Sequence, residues 1–289
     1  MTLDSLSVVI PAKNEEAGLS RVLPELTRKY PQATLIVVDD GSSDGTAQVA
    51  RDNGAQVISH PYSKGNGAAI KSGARAATTD AILFMDADGQ HRVEDIDGLI
   101  AKFEQGYDLV VGARQGLDSQ ASVMRWGANG LYNRLASWMV GHPIADLTSG
   151  MRLVSRAKFL EFIYLLPNGF SYPTTSTMAF YRAGYTVAFV PIECEKREGK
   201  SHVNIWRDGV RFFLIIFKIG TLYSPLKLFF PIAFAIFAAG ISYYGYTYFT
   251  EGRFTNMSLL LFVSSVIIFL IGLISEQISN LTYKTDSRD

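Results

Sequence analysis

Up to about residue 200 the chain alternates short β-branched runs with stretches whose apolar residues recur at helical spacing. That alternation predicts βαβ units wound around a mostly parallel sheet. Residues 6–10 read as the first strand and 15–29 as a helix. Residues 35–38 read as the second strand and 46–53 as the next helix. Further strands are predicted at 57–59, 81–85, 108–111 and 186–190, and Pro11, Gly41, Gly65 and Gly89 fall just after strands, where turns need special backbone angles. Ligands of open α/β sheets bind at those carboxyl ends.

The last third has a different pattern. Residues 228–249 carry no charge, and a helix rising about 1.5 Å per residue over that length spans roughly 30 Å of hydrocarbon. A second uncharged run, 257–275, follows after the short link 250–256, so the pair reads as a transmembrane hairpin with both ends on one side. Tyr243, Tyr244, Tyr246, Tyr248 and Phe249 suit a bilayer interface. Before the hairpin, 203–220 places Arg207, Arg211 and Lys218 within about 40° on a helical wheel, while Ile205, Trp206, Val210, Phe213 and Phe217 project elsewhere. This predicts an amphipathic helix on an anionic leaflet, and with Lys227 it puts the first domain on the cytoplasmic side. The expected organisation is a catalytic domain at 1–202, a juxtamembrane region at 203–226, two spans within 227–283 (about 228–249 and 257–279) and a cytoplasmic tail at 284–289.

Composition narrows the chemistry. The 289 residues carry a formal net charge of +0, which gives no basic face for nucleic acid. Cys194 is the single cysteine, so no internal disulfide forms, in keeping with a reducing compartment. No basic segment leading a long apolar stretch precedes the first strand, so no cleaved signal peptide is expected.

The candidate chemistry follows the predicted strands. The first ends in Pro11-Ala12-Lys13-Asn14-Glu15, and the second in Asp39-Asp40-Gly41-Ser42-Ser43-Asp44-Gly45-Thr46. Lys64-Gly65-Asn66-Gly67 opens a helix, where an ammonium and backbone amides suit phosphate. Asp86-Ala87-Asp88-Gly89-Gln90 leaves two carboxylates and an amide in one loop, a donor set for Mg²⁺ or Mn²⁺ whose shell is completed by substrate phosphate. His91 is a poor magnesium ligand and is left out. These four segments, in this order, resemble family 2 glycosyltransferases with a nucleotide-diphospho-sugar transferase (GT-A type) fold. The resemblance implies that Pro11, Glu15 and Asp39 hold the base and ribose of the donor, with Asp40 supporting the same turn. It implies that Lys64 meets the diphosphate and that Asp86, Asp88 and Gln90 hold the metal. Asp44 reads better as a helix cap.

The second half carries Arg114 after the predicted strand 108–111, then Arg125, Asn129, Asn133 and Arg134 at helical spacing, then Asp146-Leu147-Thr148-Ser149-Gly150-Met151-Arg152. It resembles the polyprenyl-phosphate branch of the family, the dolichol-phosphate mannose synthase-like enzymes. That resemblance implies that Arg114 and Arg125 bind the lipid phosphate, with Asn129 standing where a related enzyme has serine. Ser149 and Arg152 fall in the acceptor loop, and Arg197 and Ser201 in the branch's juxtamembrane motif. Asp146 sits where inverting members carry a carboxylate near the reacting centre; a cap or a partner for Arg152 is its other reading. The activity implied is inverting transfer of a hexose from UDP- or GDP-hexose to polyprenyl phosphate by a multi-pass membrane enzyme that can self-associate. Polysaccharide synthesis is the alternative, but Gln120 and Arg125-Trp126 have the wrong gap for the processive motif Gln-x-x-Arg-Trp.

Overall fold

The computed structural model describes residues 6–114, 123–169, 171–193, 217, 220–221 and 223–284, with the side chains of 123–129 and 282–284 left aside. The chain divides into two compact units, Met1–His202 and Val203–Asp289.

The first unit is built on β1 (Leu6–Ala12), β2 (Thr34–Asp39), β3 (Gln56–Ser59), β4 (Ala81–Phe84), β5 (Leu109–Arg114), β6 (Arg152–Ser155) and β7 (Val187–Ile192). Their order in one sheet is β3-β2-β1-β4-β6-β5-β7. The first four run parallel, with Val9 opposite Ile36 and Leu6 opposite Ala81. β6 runs antiparallel between β4 and β5, and β7 returns parallel to β5. The inner strands are nearly all apolar because helices cover both faces.

The helices of this unit are α1 (Glu16–Lys29), α2 (Thr46–Asp52), α3 (Asn66–Ala76), α4 (Ile96–Glu104), α5 (Val123–Val140), α6 (Arg156–Glu161) and α7 (Tyr172–Arg182). In α1, Leu19, Val22, Leu23 and Leu26 recur at helical spacing and are buried, joining a core with Val8, Ile10, Leu35, Val37 and Leu83. Burying such a side chain contributes about 1.5–3 kcal/mol.

The strands and helices anticipated from the pattern in this unit are present with boundaries moved by one to three residues, and α4, β6, α6 and α7 are additions. The expected acceptor loop ends at Arg152, which opens β6 opposite Phe84 and Val111. A strand of four residues beginning with arginine has no periodic signature. In α7 the run Tyr172-Pro173-Thr174-Thr175-Ser176-Thr177 is buried throughout although it is mostly polar.

The second unit contains α8 (Pro225–Glu251) and α9 (Asn256–Lys284), each longer than the spans read from charge alone. α8 ends at Gly252 in the left-handed conformation, φ 64°. Both helices are long and apolar enough to cross a membrane, and only 11% and 17% of their most apolar windows are buried, unlike core helices of a soluble domain. The Leu226 amide donates to the Glu276 carboxylate at 3.3 Å, tying the start of α8 to α9. The expected amphipathic helix at 203–220 falls almost entirely outside the described residues.

Candidate active site

The carboxyl ends of β1 and β2 are laced together. Asp40 donates its amide to the Ala12 carbonyl at 2.8 Å, and Asp39 Oδ1 accepts the Ser42 amide at 2.9 Å. Asn14, at φ 56°, donates its amide to Ser42 Oγ, and its side-chain oxygen accepts the Ser43 amide. The Glu15 amide donates to Thr46 Oγ1 at 2.9 Å. Pro11, Glu15 and Asp39 therefore share one edge, with Pro11 and Glu15 partly exposed and Asp39 buried. Asp44 lies one residue before Gly45, which holds the cap position of α2, and accepts the Thr46 amide at 3.1 Å.

Asp40 organises the next turn. Its carboxylate accepts from the His60 ring at 2.7 Å, Ser63 Oγ at 2.7 Å and the amides of Lys64 and Gly65, both at 2.8 Å. Burial alone would push this carboxyl up, but these hydrogen bonds, led by His60, outweigh it and take it down to about 2. The arrangement alters the expected phosphate cradle. The Lys64 and Gly65 amides already serve Asp40, and the Ala68 amide donates to the Asn168 carbonyl at 3.2 Å. A Cβ on Gly67 would fall 2.0 Å from the Pro167 carbonyl oxygen, so the segment 167–169 lies directly on the start of α3. What Lys64 offers a diphosphate is thus its ammonium, 5.9 Å from the Tyr62 ring centre.

The two carboxylates expected to hold a metal follow β4. Gly89 turns with φ 73° and lets Asp88 Oδ1 accept the Gln90 amide at 3.1 Å. Asp86 is half-buried against Gly150, where a Cβ would lie 2.2 Å from its Oδ2. Burial raises the Asp86 pKa and Asp88 adds to the rise, against His91, Arg114 and Arg152. Among the described residues no group of three or more His, Cys, Asp or Glu gathers as a metal cage. Two carboxylates with the Gln90 amide still fit a hard divalent ion that keeps positions for water and a diphosphate, and a dication is what two crowded carboxylates lack.

Arg114 closes β5 and forms a two-pronged ion pair with Asp146: Nε to Oδ2 at 2.7 Å and Nη2 to Oδ1 at 3.1 Å. Nη2 also donates to Thr148 Oγ1 at 2.6 Å. Asp146 is buried, which raises its pKa, yet the Arg114 contacts and the Thr148 amide outweigh that and hold it below the usual carboxylate range. From α5, Asn133 pins the loop by donating to the Ala145 carbonyl at 2.8 Å and accepting the Leu147 amide at 3.1 Å. The partner of Asp146 is Arg114, not Arg152. Arg152 is fully buried, its guanidinium turned to carbonyls and hydroxyls of the protein, and Ser149 is buried beside it, its Oγ without a hydrogen-bond partner among the described residues. Arg125 and Asn129 lie on the first turns of α5, their side chains outside the described set, and Arg197 and Ser201 lie outside the described residues. His60 and Ser63 had no motif to mark them; they reach Asp40 through contacts distant in sequence.

Residues 7–162 match the glycosyl transferase family 2 pattern, and residues 224–281 match the GtrB C-terminal hairpin. The chain belongs to glycosyl transferase family 2. This family 2 enzyme is 30% identical over 220 residues to a dolichyl-phosphate hexose transferase of Haloferax volcanii, covering 75% of the chain and 95% of that relative. It is 28% identical over 309 aligned positions to the undecaprenyl-phosphate 4-deoxy-4-formamido-L-arabinose transferase of Shewanella sediminis, covering 96% and 88%. Among solved structures it shares the fold of glucosyl-3-phosphoglycerate synthase from Mycobacterium tuberculosis, in complex with Mn²⁺, UDP and product, with a TM-score of 0.60 at 23% identity, covering 75% and 79%. The glycosyltransferase therefore joins a GT-A-type domain to a membrane-associated hairpin.

Proposed function

We propose that this glycosyltransferase moves a hexose, with inversion, from UDP- or GDP-hexose to polyprenyl phosphate, giving a polyprenyl monophosphate sugar. The observation that carries the reading is a pair of charged clusters at the carboxyl edge of one sheet. Asp86 and Asp88 stand after β4, and Arg114 at the end of β5 pairs with Asp146. The named activities of the two relatives and the exposed apolar hairpin support a lipid acceptor.

In this reading Pro11, Glu15 and Asp39 hold the nucleoside, and the Lys64 ammonium screens the diphosphate. Asp86, Asp88 and the Gln90 amide would hold Mg²⁺ or Mn²⁺, which supplies charge neutralisation to the departing diphosphate. The acceptor is already an anion, so no strong base is required, and what remains is alignment and charge screening. Arg114, held by Asp146 and Thr148, presents its guanidinium to the lipid phosphate, with Arg125, Asn129, Ser149, Arg197 and Ser201 completing the acceptor side. Two arginines are needed because like unit charges about 4 Å apart repel by roughly 4 kcal/mol at an effective dielectric near 20.

The hairpin spans the cell membrane with both ends cytoplasmic and gives copies of the chain a surface for self-association. Incubating membranes that contain the protein with radiolabelled UDP-glucose or GDP-mannose and undecaprenyl or dolichyl phosphate tests the activity. A mild-acid-labile glycolipid is expected; a polymer, or a glycosyl-enzyme trapped on the way, would refute it.

A further inference from the structure

Arg152 opens β6 in the middle of the sheet and is fully buried. Its Nε and Nη2 donate to the Ser149 carbonyl at 3.2 and 2.7 Å. Its Nη1 donates to the Pro173 carbonyl at 2.8 Å, Ser176 Oγ at 2.8 Å and Thr177 Oγ1 at 3.2 Å, all in the first turns of α7. The Tyr172 ring centre lies 5.8 Å from the guanidinium carbon. Every one of these acceptors is neutral, and among the described residues no carboxylate reaches Arg152 within ion-pair distance. A buried cation is ordinarily paired, because an uncompensated charge is costly away from water. A bolt between β6 and α7 needs no charge at all.

The charge has a destination two residues away. Ser149, the residue Arg152 holds with two N–H groups, is followed by Gly150, and a Cβ on Gly150 would fall 2.2 Å from Asp86 Oδ2 and 2.7 Å from Oδ1. The Asp86 carboxylate thus rests on the backbone that Arg152 fixes. The chain of contacts runs from the buried start of α7 through Arg152 and Ser149 to Gly150 and Asp86.

We infer that Arg152 is a positioning residue for the metal carboxylate: its fork holds the Ser149–Gly150 lip against Asp86 and sets a positive charge behind the pair Asp86 and Asp88. It does not contact the acceptor phosphate. The inference rests on the reading of Asp86 as a ligand for Mg²⁺ or Mn²⁺. It also accounts for arginine rather than lysine, since one ammonium keeps the charge but not a planar fork that serves Ser149 and α7 together.

The test uses the full chain in detergent and Mn²⁺ itself as probe, titrated by electron paramagnetic resonance without nucleotide and with UDP or GDP. Arg152→Lys and Gly150→Ala are compared with wild type. Gly150→Ala, whose added Cβ has the Asp86 carboxylate as its nearest neighbour, perturbs the lip directly and serves if Arg152→Lys fails to fold. In folded variants Mn²⁺ affinity is expected to fall about 10- to 100-fold, the usual effect of removing support from a metal ligand. The Michaelis constant for lipid phosphate at saturating Mn²⁺ should stay at the wild-type value. Wild-type Mn²⁺ affinity in the folded variants overturns the inference, as does a raised lipid-phosphate constant in Arg152→Lys with metal affinity intact. A wild-type protein that binds no Mn²⁺ under any of these conditions refutes the metal reading itself, and the inference with it.

Discussion

The edge proposed for the acceptor holds one ion pair whose members have separate duties. Asp146 holds Arg114 through two hydrogen bonds while buried, so removing its charge leaves a guanidinium with no fixed orientation rather than an empty pocket. Asp146→Asn is expected to raise the Michaelis constant for lipid phosphate or lower turnover by about 10- to 100-fold, a loss of roughly 1.4–2.7 kcal/mol, with donor affinity by calorimetry little changed. Unchanged acceptor kinetics in a folded variant would remove the pair from the acceptor site. Asp88→Ala should nearly abolish transfer, and chelation by EDTA should do so reversibly; full activity in EDTA would refute the metal. Asp40 belongs to stability. Its carboxyl sits at about 2 against the ordinary 3.8, so its contribution, on the order of 2 kcal/mol, is complete above about pH 4 and disappears as the pH falls toward 2. Asp40→Asn should therefore lower the melting temperature at pH 7, and the gap to wild type should narrow on acidification toward pH 3.

Between elements, the start of α3 shows a turn doing different work from that suggested by its glycines. The segment 167–169 lies against Gly65 and Gly67, and Lys71 reaches back to the Leu166 carbonyl at 3.1 Å and to Asn168 Oδ1 at 2.5 Å. Gly67→Ala places a methyl against backbone that cannot swing aside, and about 1–3 kcal/mol of destabilisation is expected in chemical denaturation. Lys64→Met should instead leave stability near wild type and weaken donor binding, because its ammonium projects from a backbone that Asp40 already holds. Equal stability loss in both variants would deny the division. β6 illustrates the same point: four residues inserted antiparallel between β4 and β5 carry Arg152 from an expected surface loop into the sheet.

Across the whole molecule, the uncharged runs and the cations before them predict one orientation. With Cys194→Ser as background, Glu251→Cys in intact cells is expected to react with an impermeant thiol reagent, while a cysteine in the tail 285–289 stays protected until the cells are opened. Labelling of the tail with protection of position 251 would invert the topology.

Periodicity, the order of the four motif segments and the long uncharged runs were legible in the sequence, and they determined the fold class, the family and the pair of apolar helices. Those features are legible because each depends on residues within one strand, turn or helix. Tertiary structure alone decided that Arg114 pairs with Asp146, that Asp40 gathers His60, Ser63 and two amides, and that Arg152 lies buried against the start of α7. Each of those outcomes joins residues far apart in the chain, and hydrogen-bond partners at such distances are chosen by how strands, helices and loops pack, which leaves no periodic trace in the sequence.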